Sequence, residues 1–194
     1  MYRHLHTQMQ YLQWQEGGPR ARPWIMKSPV HSGHLDTLLE TFPDAVLVHC
    51  HRDVQKILPS IASLIEQARR IGSDHVDTRV LGDEMLEYWG KSLDRYMEVR
   101  ETLPSDRIMD VQFEEVVGDV VGVIRRIYER AGRELSPEAL AAFKDKNQSQ
   151  PEHHWGEYSY SADDYGYTPE IINQRFAKYR QRFIATDSKE SLSA

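Results

Sequence analysis

Cationic and hydroxyl side chains follow two of the apolar runs in this sequence. Lys27 comes directly after the run 24–26, and Arg52 lies four residues after the run 45–48, with Ser60 eight residues further on. An arginine beside a helix N-terminus suits phosphate, because its guanidinium donates two parallel hydrogen bonds and the helix contributes free N–H groups. A hydroxyl in the second helical turn can add one more hydrogen bond. The pattern therefore predicts a phosphate site around Arg52 and Ser60.

Spacing alone leaves a second interpretation of these residues open. Arg52 can instead pair with Asp53 or with a carboxylate on the surface, and Ser60 can be an ordinary helical residue. Helix termini bind anions often but not always, so the sequence is compatible with either arrangement.

The elements that must position these side chains are predicted by hydrophobic periodicity and by turn residues. Short apolar runs predict strands, and apolar residues that recur every three or four positions predict helices. Asp53 has the side chain of a helix N-cap, and Pro59 lies inside the helix that it begins. Strands are expected at 24–26, 45–48 and 107–113. Helices are expected at 1–15, 35–42, 54–70, 81–102, 120–131 and 168–183, and a further helix is expected to begin at Ser136.

The alternation of strands and helices favours an α/β layer fold with a mainly parallel sheet. In such sheets ligands bind beyond the carboxyl ends of the strands, which is where Lys27 and Arg52 are both expected. The length of 194 residues and the hydrophobic content of 40% are typical of one globular domain. We expect that domain over 1–185, followed by a flexible polar tail at 186–194.

Composition argues against several classes of function. No apolar run approaches the ~20 residues that span a bilayer, and residues 1–14 have no secretory signal pattern, so we expect no membrane partner. The net charge of −6 argues against a general nucleic-acid binder, which usually carries a basic face. The single cysteine, Cys50, excludes an internal disulfide framework and suits a reducing cytoplasm.

Several histidines occur in pairs, as they do in many metal sites. His49, Cys50 and His51 alternate along a predicted strand, so neighbouring side chains point to opposite faces. The remaining pairs, at 31 and 34 and at 153 and 154, have no convincing third and fourth ligands. We therefore predict no bound metal.

The segment 23–64 resembles the core of the bacterial-type sulfotransferase family, whose members use the activated sulfate donor PAPS (3′-phosphoadenosine 5′-phosphosulfate). The shared pattern is a strand ending in Lys-Ser-Pro, a helix, the phrase Phe-Pro-Asp-Ala, and a strand ending in His-Arg-Asp. The segments 113–136 and 154–183 are similar to later parts of the same family. Together these ordered motifs imply a three-layer P-loop-type sulfotransferase fold with a mainly parallel sheet.

The resemblance implies a role for each candidate residue of the donor site. Arg52 and Ser60 match the arginine and serine that bind the donor's 3′-phosphate, and Lys27 matches a lysine that neutralises the oxygens around the transferred sulfur. Phe113 falls where many relatives have a tyrosine that touches the adenine. A phenylalanine keeps the stacking face and loses the hydroxyl, and a plain core role for this ring is also compatible with the sequence.

The general base does not carry over directly from the family. Cytosolic relatives have a histidine two residues after the lysine, where this sequence has Pro29. His31 is near enough to serve instead, since its ordinary pKa suits proton removal from an acceptor hydroxyl. Two alternatives remain open: His31 caps the helix that follows, or a carboxylate outside this chain is the base.

One part of the family pattern is not recognised in this sequence. Complete members have a strand, a loop rich in Pro, Arg, Ser, Gly and Thr, and a helix, and the N–H groups of that loop hold the 5′-phosphosulfate. We therefore expect a fold that is incomplete at its N-terminus, with unpaired sheet edges that favour a homo-oligomer or a complementing chain. The segment 154–156 reads His-Trp-Gly where cytosolic relatives have Arg-Lys-Gly, so no phosphate-binding role is assigned to it.

These patterns predict a sulfotransferase, or a fragment of one, that transfers a sulfuryl group from PAPS to a hydroxyl or amine of a small-molecule acceptor. The alternative is a non-catalytic nucleotide-binding or assembly module that keeps the same fold. A kinase-type nucleotide transferase is a third class, and the absence of Gly-x-x-x-x-Gly-Lys-Ser/Thr from this sequence argues against it.

Overall fold

The computed structural model of the protein describes residues 1–19, 22–149 and 160–184. The segment 154–156 and the predicted tail 186–194 lie outside these residues. Helices make up most of the described chain, and its two strands form one short sheet. In chain order the elements are α1 (Tyr2–Gln15), a 3₁₀ helix (Pro29–His34), α2 (Leu35–Thr41), β1 (Leu47–His51), α3 (Val54–Arg70), α4 (Thr78–Thr102), β2 (Ile108–Gln112), α5 (Phe113–Gly118), α6 (Val120–Arg130), α7 (Pro137–Ser149), a second 3₁₀ helix (Asp163–Tyr165), α8 (Pro169–Arg175) and α9 (Ala177–Phe183).

The described residues divide into two compact units, and α4 contributes to both. Unit 1 comprises Met1–Ala45 and Lys91–Leu103. Unit 2 comprises Val46–Gly90 and the described residues from Pro104 onward. Each unit contains buried apolar side chains of its own.

Unit 1 contains two helices whose apolar faces meet. Tyr2 and Met9 are buried on α1, and Leu35 and Leu38 are buried on α2, which packs against α1. These pairs are seven and three residues apart, which is the spacing of one face of a helix. The helices predicted from this periodicity are therefore confirmed, and the 3₁₀ helix that begins at Pro29 precedes the second of them.

The apolar run 24–26 is not a strand, so the prediction of a strand there is wrong. This segment has no regular secondary structure, and Ile25 is 91% exposed. A strand needs a hydrogen-bonded neighbour, and the sheet in the described residues consists of β1 and β2 paired with each other. The apolar composition of a segment does not show whether such a neighbouring strand is present.

Unit 2 contains a two-stranded parallel sheet. Leu47 on β1 lies opposite Ile108 on β2, and His51 lies opposite Gln112. The predicted α/β class with a parallel sheet is therefore confirmed. β1 begins two residues later than the predicted run 45–48 and continues to His51, because hydrogen bonding to β2 rather than hydrophobicity determines its limits.

A small hydrophobic core joins the sheet of unit 2 to α6. Its members come from both strands and from the helices that follow β2: Val48, Met109, Val111, Val116, Val123 and Ile127. α6 ends just before Gly132, whose φ of 61° is the left-handed conformation that glycine adopts without steric cost. The helix predicted over 120–131 is therefore confirmed.

Helix α3 begins only three residues after β1 ends. Asp53 caps it as predicted, since its carboxylate accepts a hydrogen bond from the N–H of Gln55 at 3.0 Å. Val54, Leu58 and Ala62 are buried at a spacing of four residues and form the inner face of the helix. The N-terminus of α3 is therefore held at the carboxyl end of β1.

The single helix predicted over 168–183 is two helices in the structure. α8 begins after Thr168, whose hydroxyl accepts a hydrogen bond from the N–H of Ile171, and α9 follows α8 after Phe176. The backbone of Phe176 has φ −109° and ψ 17°, and its ring is buried. The prediction of a continuous helix failed at this residue because packing of the ring, which periodicity does not show, holds the backbone outside the helical region.

Gly82 allows the segment 160–167 to pack closely against α4. Its carbonyl accepts a hydrogen bond from the Tyr167 hydroxyl at 2.9 Å, and a methyl group at position 82 would lie 2.0 Å from the carbonyl oxygen of Tyr165. Because that separation is far inside van der Waals contact, the helix and the segment must move apart in a Gly82→Ala variant. We expect this variant to lower the free energy of unfolding by about 1–3 kcal/mol, measured by urea denaturation.

The matched control is Gly118→Ala at the end of α5. A methyl group at position 118 would meet no atom within 4 Å, and alanine favours a helix over glycine. Its free energy of unfolding should equal or exceed that of the wild type. An equal loss of stability in the two variants would contradict the close packing at Gly82.

Candidate functional site

Arg52 and Phe113 meet at the carboxyl edge of the sheet in unit 2. Because His51 lies opposite Gln112 in the parallel register, the residues that follow them are brought side by side. The Arg52 guanidinium carbon lies 3.9 Å from the centroid of the Phe113 ring, which is a cation–π contact. Arg52 is exposed and Phe113 is half-buried, so the pair forms a surface that is cationic and aromatic.

The ion pair between Arg52 and Asp53, left open by the sequence, is not formed. One oxygen of the Asp53 carboxylate accepts the N–H of Gln55, and the other accepts a hydrogen bond from the Arg180 guanidinium at 2.8 Å. Among the residues that the structure describes, no carboxylate pairs with Arg52. Within the described residues, the contact of the Arg52 guanidinium is therefore with the Phe113 ring and not with a carboxylate.

Ser60 lies on the exposed side of α3. Lys56 and Ser60 are one turn apart and exposed, whereas Leu58 and Ala62 belong to the buried face. The hydroxyl of Ser60 is thus accessible to a ligand on the outer face of the helix that Asp53 begins. The two predicted phosphate-binding residues are therefore carried by the end of β1 and by the helix that follows it.

A buried histidine beside Arg52 was not predicted as part of the site. His51 is 0% exposed, its Nε2 lies 2.8 Å from Asp110 Oδ1, and its Nδ1 lies 2.8 Å from the Tyr179 hydroxyl. A carboxylate can only accept, so Nε2–H donates to Asp110, and in the neutral imidazole Nδ1 accepts the Tyr179 hydrogen. The ring is also stacked on His49 and Phe183, with both pairs of centroids 4.3 Å apart.

Sequence reasoning could have found part of this network. Alternation along a strand places His49 and His51 on the same face, as the structure shows, and Asp110 lies opposite His49 in the register. Tyr179 is 128 residues away from His51 and leaves no local signal. The sequence pattern could therefore have indicated Asp110 as a partner of His51, but it could not have indicated Tyr179.

Unit 1 carries the other two predicted site residues. Lys27 is exposed and precedes the 3₁₀ helix, and His31 lies inside that helix. The Nδ1 of His31 lies 2.9 Å from the Tyr2 hydroxyl. α2 begins at Leu35 after His34, so the alternative in which His31 caps that helix is wrong.

The environment of His31 favours the neutral imidazole, which is the form that can accept a proton. Partial burial lowers its pKa below 6.5, and the charge of the neighbouring His34 lowers it further. The direction of the hydrogen bond between His31 Nδ1 and the Tyr2 hydroxyl depends on the tautomer of the imidazole. If Tyr2 accepts a hydrogen bond from Nδ1–H, then Nε2 has a free lone pair and can act as a base.

The described chain has neither a candidate metal site nor a membrane-spanning helix. Its His, Cys, Asp and Glu side chains include no group of three arranged to hold a metal ion. None of the helices that the structure describes is long and apolar enough to cross a membrane.

Parallel strands that lead directly into helices define an α/β protein, and at their carboxyl edge lies an arginine that no described carboxylate pairs with. Residues 1–137 match the family described as the Sulfotransferase family. The chain therefore belongs to the sulfotransferase family, which confirms the resemblance seen in its motifs.

Mycobacterial proteins are among its relatives. Over 114 residues the chain is 31% identical to the omega-hydroxy-beta-dihydromenaquinone-9 sulfotransferases Stf3 of Mycobacterium bovis and Mycobacterium tuberculosis, covering 58% of the chain and 29% of each relative. The crystal structure of sulfotransferase STF9 from Mycobacterium avium matches with a TM-score of 0.78 and 30% identity, covering 91% of the chain and 45% of STF9. The crystal structure of sulfotransferase STF1 from Mycobacterium tuberculosis matches with a TM-score of 0.68 and 31% identity, covering 81% of the chain and 40% of STF1. The chain thus spans less than half the length of each of these proteins.

His31 should make stability depend on pH with a definite sign. The unfolded histidine has a pKa near 6.5 and the folded one a lower pKa, so between these values the unfolded chain binds more protons. The contribution of neutral His31 to the free energy of unfolding is therefore fully present above pH 6.5 and is lost as the pH falls through the folded pKa. Urea denaturation at a series of pH values should show this loss in the wild type and a smaller loss in His31→Gln.

A histidine in the loop after α3 provides the control for this measurement. His75 is exposed, and His75→Gln should keep the pH dependence of the wild type. The same slope in wild type and His31→Gln would contradict the assigned environment of His31.

Proposed function

We propose that this chain provides the nucleotide-binding part of a sulfotransferase that moves a sulfuryl group from PAPS to a hydroxyl or amine of a small-molecule acceptor. The observation that carries the proposal is the exposed guanidinium of Arg52 at the carboxyl end of β1, which no described carboxylate neutralises. By resemblance, Arg52 matches the arginine with which the family binds the 3′-phosphate of the donor. Membership in the family supports this class of chemistry over a kinase-type transferase.

Arg52 and Ser60 would bind the 3′-phosphate of the donor. The guanidinium can donate two parallel hydrogen bonds to phosphate oxygens, and the Ser60 hydroxyl can donate a third. Asp53 would repel a phosphate if its charge were uncompensated, but its carboxylate is paired with Arg180 at 2.8 Å. The local charge around Arg52 is therefore favourable for an anion.

Phe113 would contact the adenine of the same nucleotide. One face of its ring is covered by the Arg52 guanidinium, so the base would stack on the remaining face or against the ring edge. An aromatic ring and a cation that touch each other can hold the base and the phosphate of one ligand. The half-buried position of Phe113 is consistent with this role, since a ring that only filled the core would be fully buried.

Lys27 and His31 would act on the group that is transferred. The acceptor oxygen or nitrogen attacks sulfur, the bond between sulfur and the bridging oxygen breaks, and 3′-phosphoadenosine 5′-phosphate leaves with that electron pair. The Lys27 ammonium would stabilise the charge that develops on the sulfonate and bridging oxygens, and His31 would take the acceptor's proton. Partial burial lowers the pKa of His31, which favours the neutral form that a base needs.

Two further features of unit 2 support proposals about the compartment and the assembly state. Cys50, the single cysteine of the sequence, is free and exposed, which suits a reducing compartment. Each strand of the sheet has one edge without a partner strand in the described residues, and open edges tend to pair with other chains. We therefore propose a cytoplasmic protein that forms a homo-oligomer or pairs with a complementing chain, and a monodisperse monomer in sedimentation velocity would contradict the association.

The assigned phosphate site can be tested by calorimetry with 3′-phosphoadenosine 5′-phosphate. We expect Arg52→Ala to weaken binding by about 1.5–3 kcal/mol, the cost of losing hydrogen bonds between charged groups. Arg125→Ala on the exposed side of α6 removes the same charge elsewhere and should leave the affinity unchanged. Unchanged affinity of Arg52→Ala for the bisphosphate would contradict the assigned phosphate site. Binding of ATP by the wild type without any binding of the bisphosphate would favour the kinase class.

The assigned role of Lys27 can be tested by transfer of labelled sulfate from PAPS to a panel of alcohols and amines. We expect Lys27→Met to lower the transfer rate roughly 100-fold or more, as for loss of one group that stabilises transition-state charge. Binding of the bisphosphate product, which has no sulfonate, should change little. Bisphosphate binding without transfer to any acceptor in the wild type would favour the non-catalytic module instead.

A further inference from the structure

Helix α9 contacts both sequence neighbours of Arg52 through side chains that are themselves adjacent. The Tyr179 hydroxyl lies 2.8 Å from Nδ1 of His51, and the next residue, Arg180, donates to the Asp53 carboxylate at 2.8 Å. The backbone of Arg52 is thus held on each side by the same turn of one helix.

The second strand end of the site is joined to α9 as well. The side-chain amide of Gln112 donates to the carbonyl oxygen of Phe183, at the last residue of α9, with a length of 3.0 Å. Gln112 directly precedes Phe113, whose ring lies under the Arg52 guanidinium. Both halves of the cationic and aromatic surface are therefore adjacent to residues that α9 binds.

The contacts of α9 are made largely by buried or half-buried groups. His51 is 0% exposed and Tyr179 is 3% exposed, and Phe183 stacks on the His51 ring. Hydrogen bonds in such surroundings are costly to break, since a buried polar group that loses its partner cannot bind water in its place. Arg180 also binds Asn173 on α8, which in turn accepts a hydrogen bond from Gln55 at 2.8 Å.

A side chain whose backbone is held in place loses less conformational freedom when it binds a ligand. Arg180 adds an electrostatic effect, because it neutralises the one carboxylate that is adjacent to Arg52 in sequence. We propose that Tyr179 and Arg180 are positioning residues for the 3′-phosphate of the donor nucleotide, acting through His51 and Asp53 on Arg52. This inference rests on the proposed function of Arg52.

The test measures affinities for two nucleotides by calorimetry: 3′-phosphoadenosine 5′-phosphate, and adenosine 5′-monophosphate, which lacks the 3′-phosphate. We expect Tyr179→Phe, which keeps the ring and removes the hydroxyl, to weaken binding of the bisphosphate about 2- to 12-fold, the range for one net hydrogen bond. Affinity for the monophosphate should stay at the wild-type value, so the ratio of the two affinities falls. Lys178→Ala, on the exposed side of the same helix, should leave the ratio unchanged.

Arg180 allows a rescue experiment. Arg180→Ala leaves the Asp53 carboxylate without its cation, and we expect a loss of bisphosphate affinity larger than that of Tyr179→Phe. Replacing Asp53 by asparagine in the same chain removes the uncompensated charge and keeps a side chain that caps a helix well. The R180A/D53N double variant should therefore recover most of the affinity that R180A loses, whereas a direct contact between Arg180 and phosphate predicts no recovery.

The possible outcomes separate this inference from the proposed function. If Arg52→Ala leaves bisphosphate affinity unchanged, the proposed function itself fails. If Arg52→Ala weakens binding but Tyr179→Phe and Arg180→Ala preserve the affinity ratio, only the positioning role is overturned. Equal losses for both nucleotides would assign α9 a structural role alone, and if Tyr179→Phe does not fold by circular dichroism, the presence or absence of charge rescue decides the question.

Discussion

The parallel pairing of β1 with β2 is the constraint on which the site in unit 2 depends. With His51 opposite Gln112, the chain leaves both strands at the same edge and places Arg52 against Phe113. A shift of one residue in this register would turn the side chains of a strand to the other face and separate the pair. The buried valines and methionine between the sheet and α6 hold that register.

Among the described residues, the carboxylates next to Arg52 at this edge are paired with other groups. The Asp53 carboxylate is occupied by the N-cap hydrogen bond and by Arg180, and Asp110 is occupied by His51. Arg52 lies among these pairs and rests on an aromatic ring. Buried polar groups require partners, so a network that satisfies His51 on both ring nitrogens also holds the strand end rigid. The same interactions that stabilise the edge therefore occupy the carboxylates next to Arg52, which favours the proposed anion site.

Several features were predictable because they depend on neighbours within a few residues. The N-cap at Asp53, the glycine stop at Gly132 and the hydrophobic face of α1 all follow from local backbone chemistry, and the ordered motifs around Lys27 and Arg52 indicated the family. The strand expected at 24–26 failed for a different reason. A strand exists only with a hydrogen-bonded neighbour, and composition carries no information about that neighbour.

By itself the sequence determined the family, most of the longer helices, and the position of Arg52 directly after a strand, since these follow from residue types at short spacing. Only the tertiary structure decided that Asp53 pairs with Arg180 rather than Arg52, and that His51 binds Tyr179 across 128 residues. It also decided that Phe113 lies beneath the guanidinium. Such pairs depend on how separate elements pack, because a side chain can select any complementary group that folding brings within a few ångströms. Local periodicity reports the surface that each element presents, and packing determines which surface it meets.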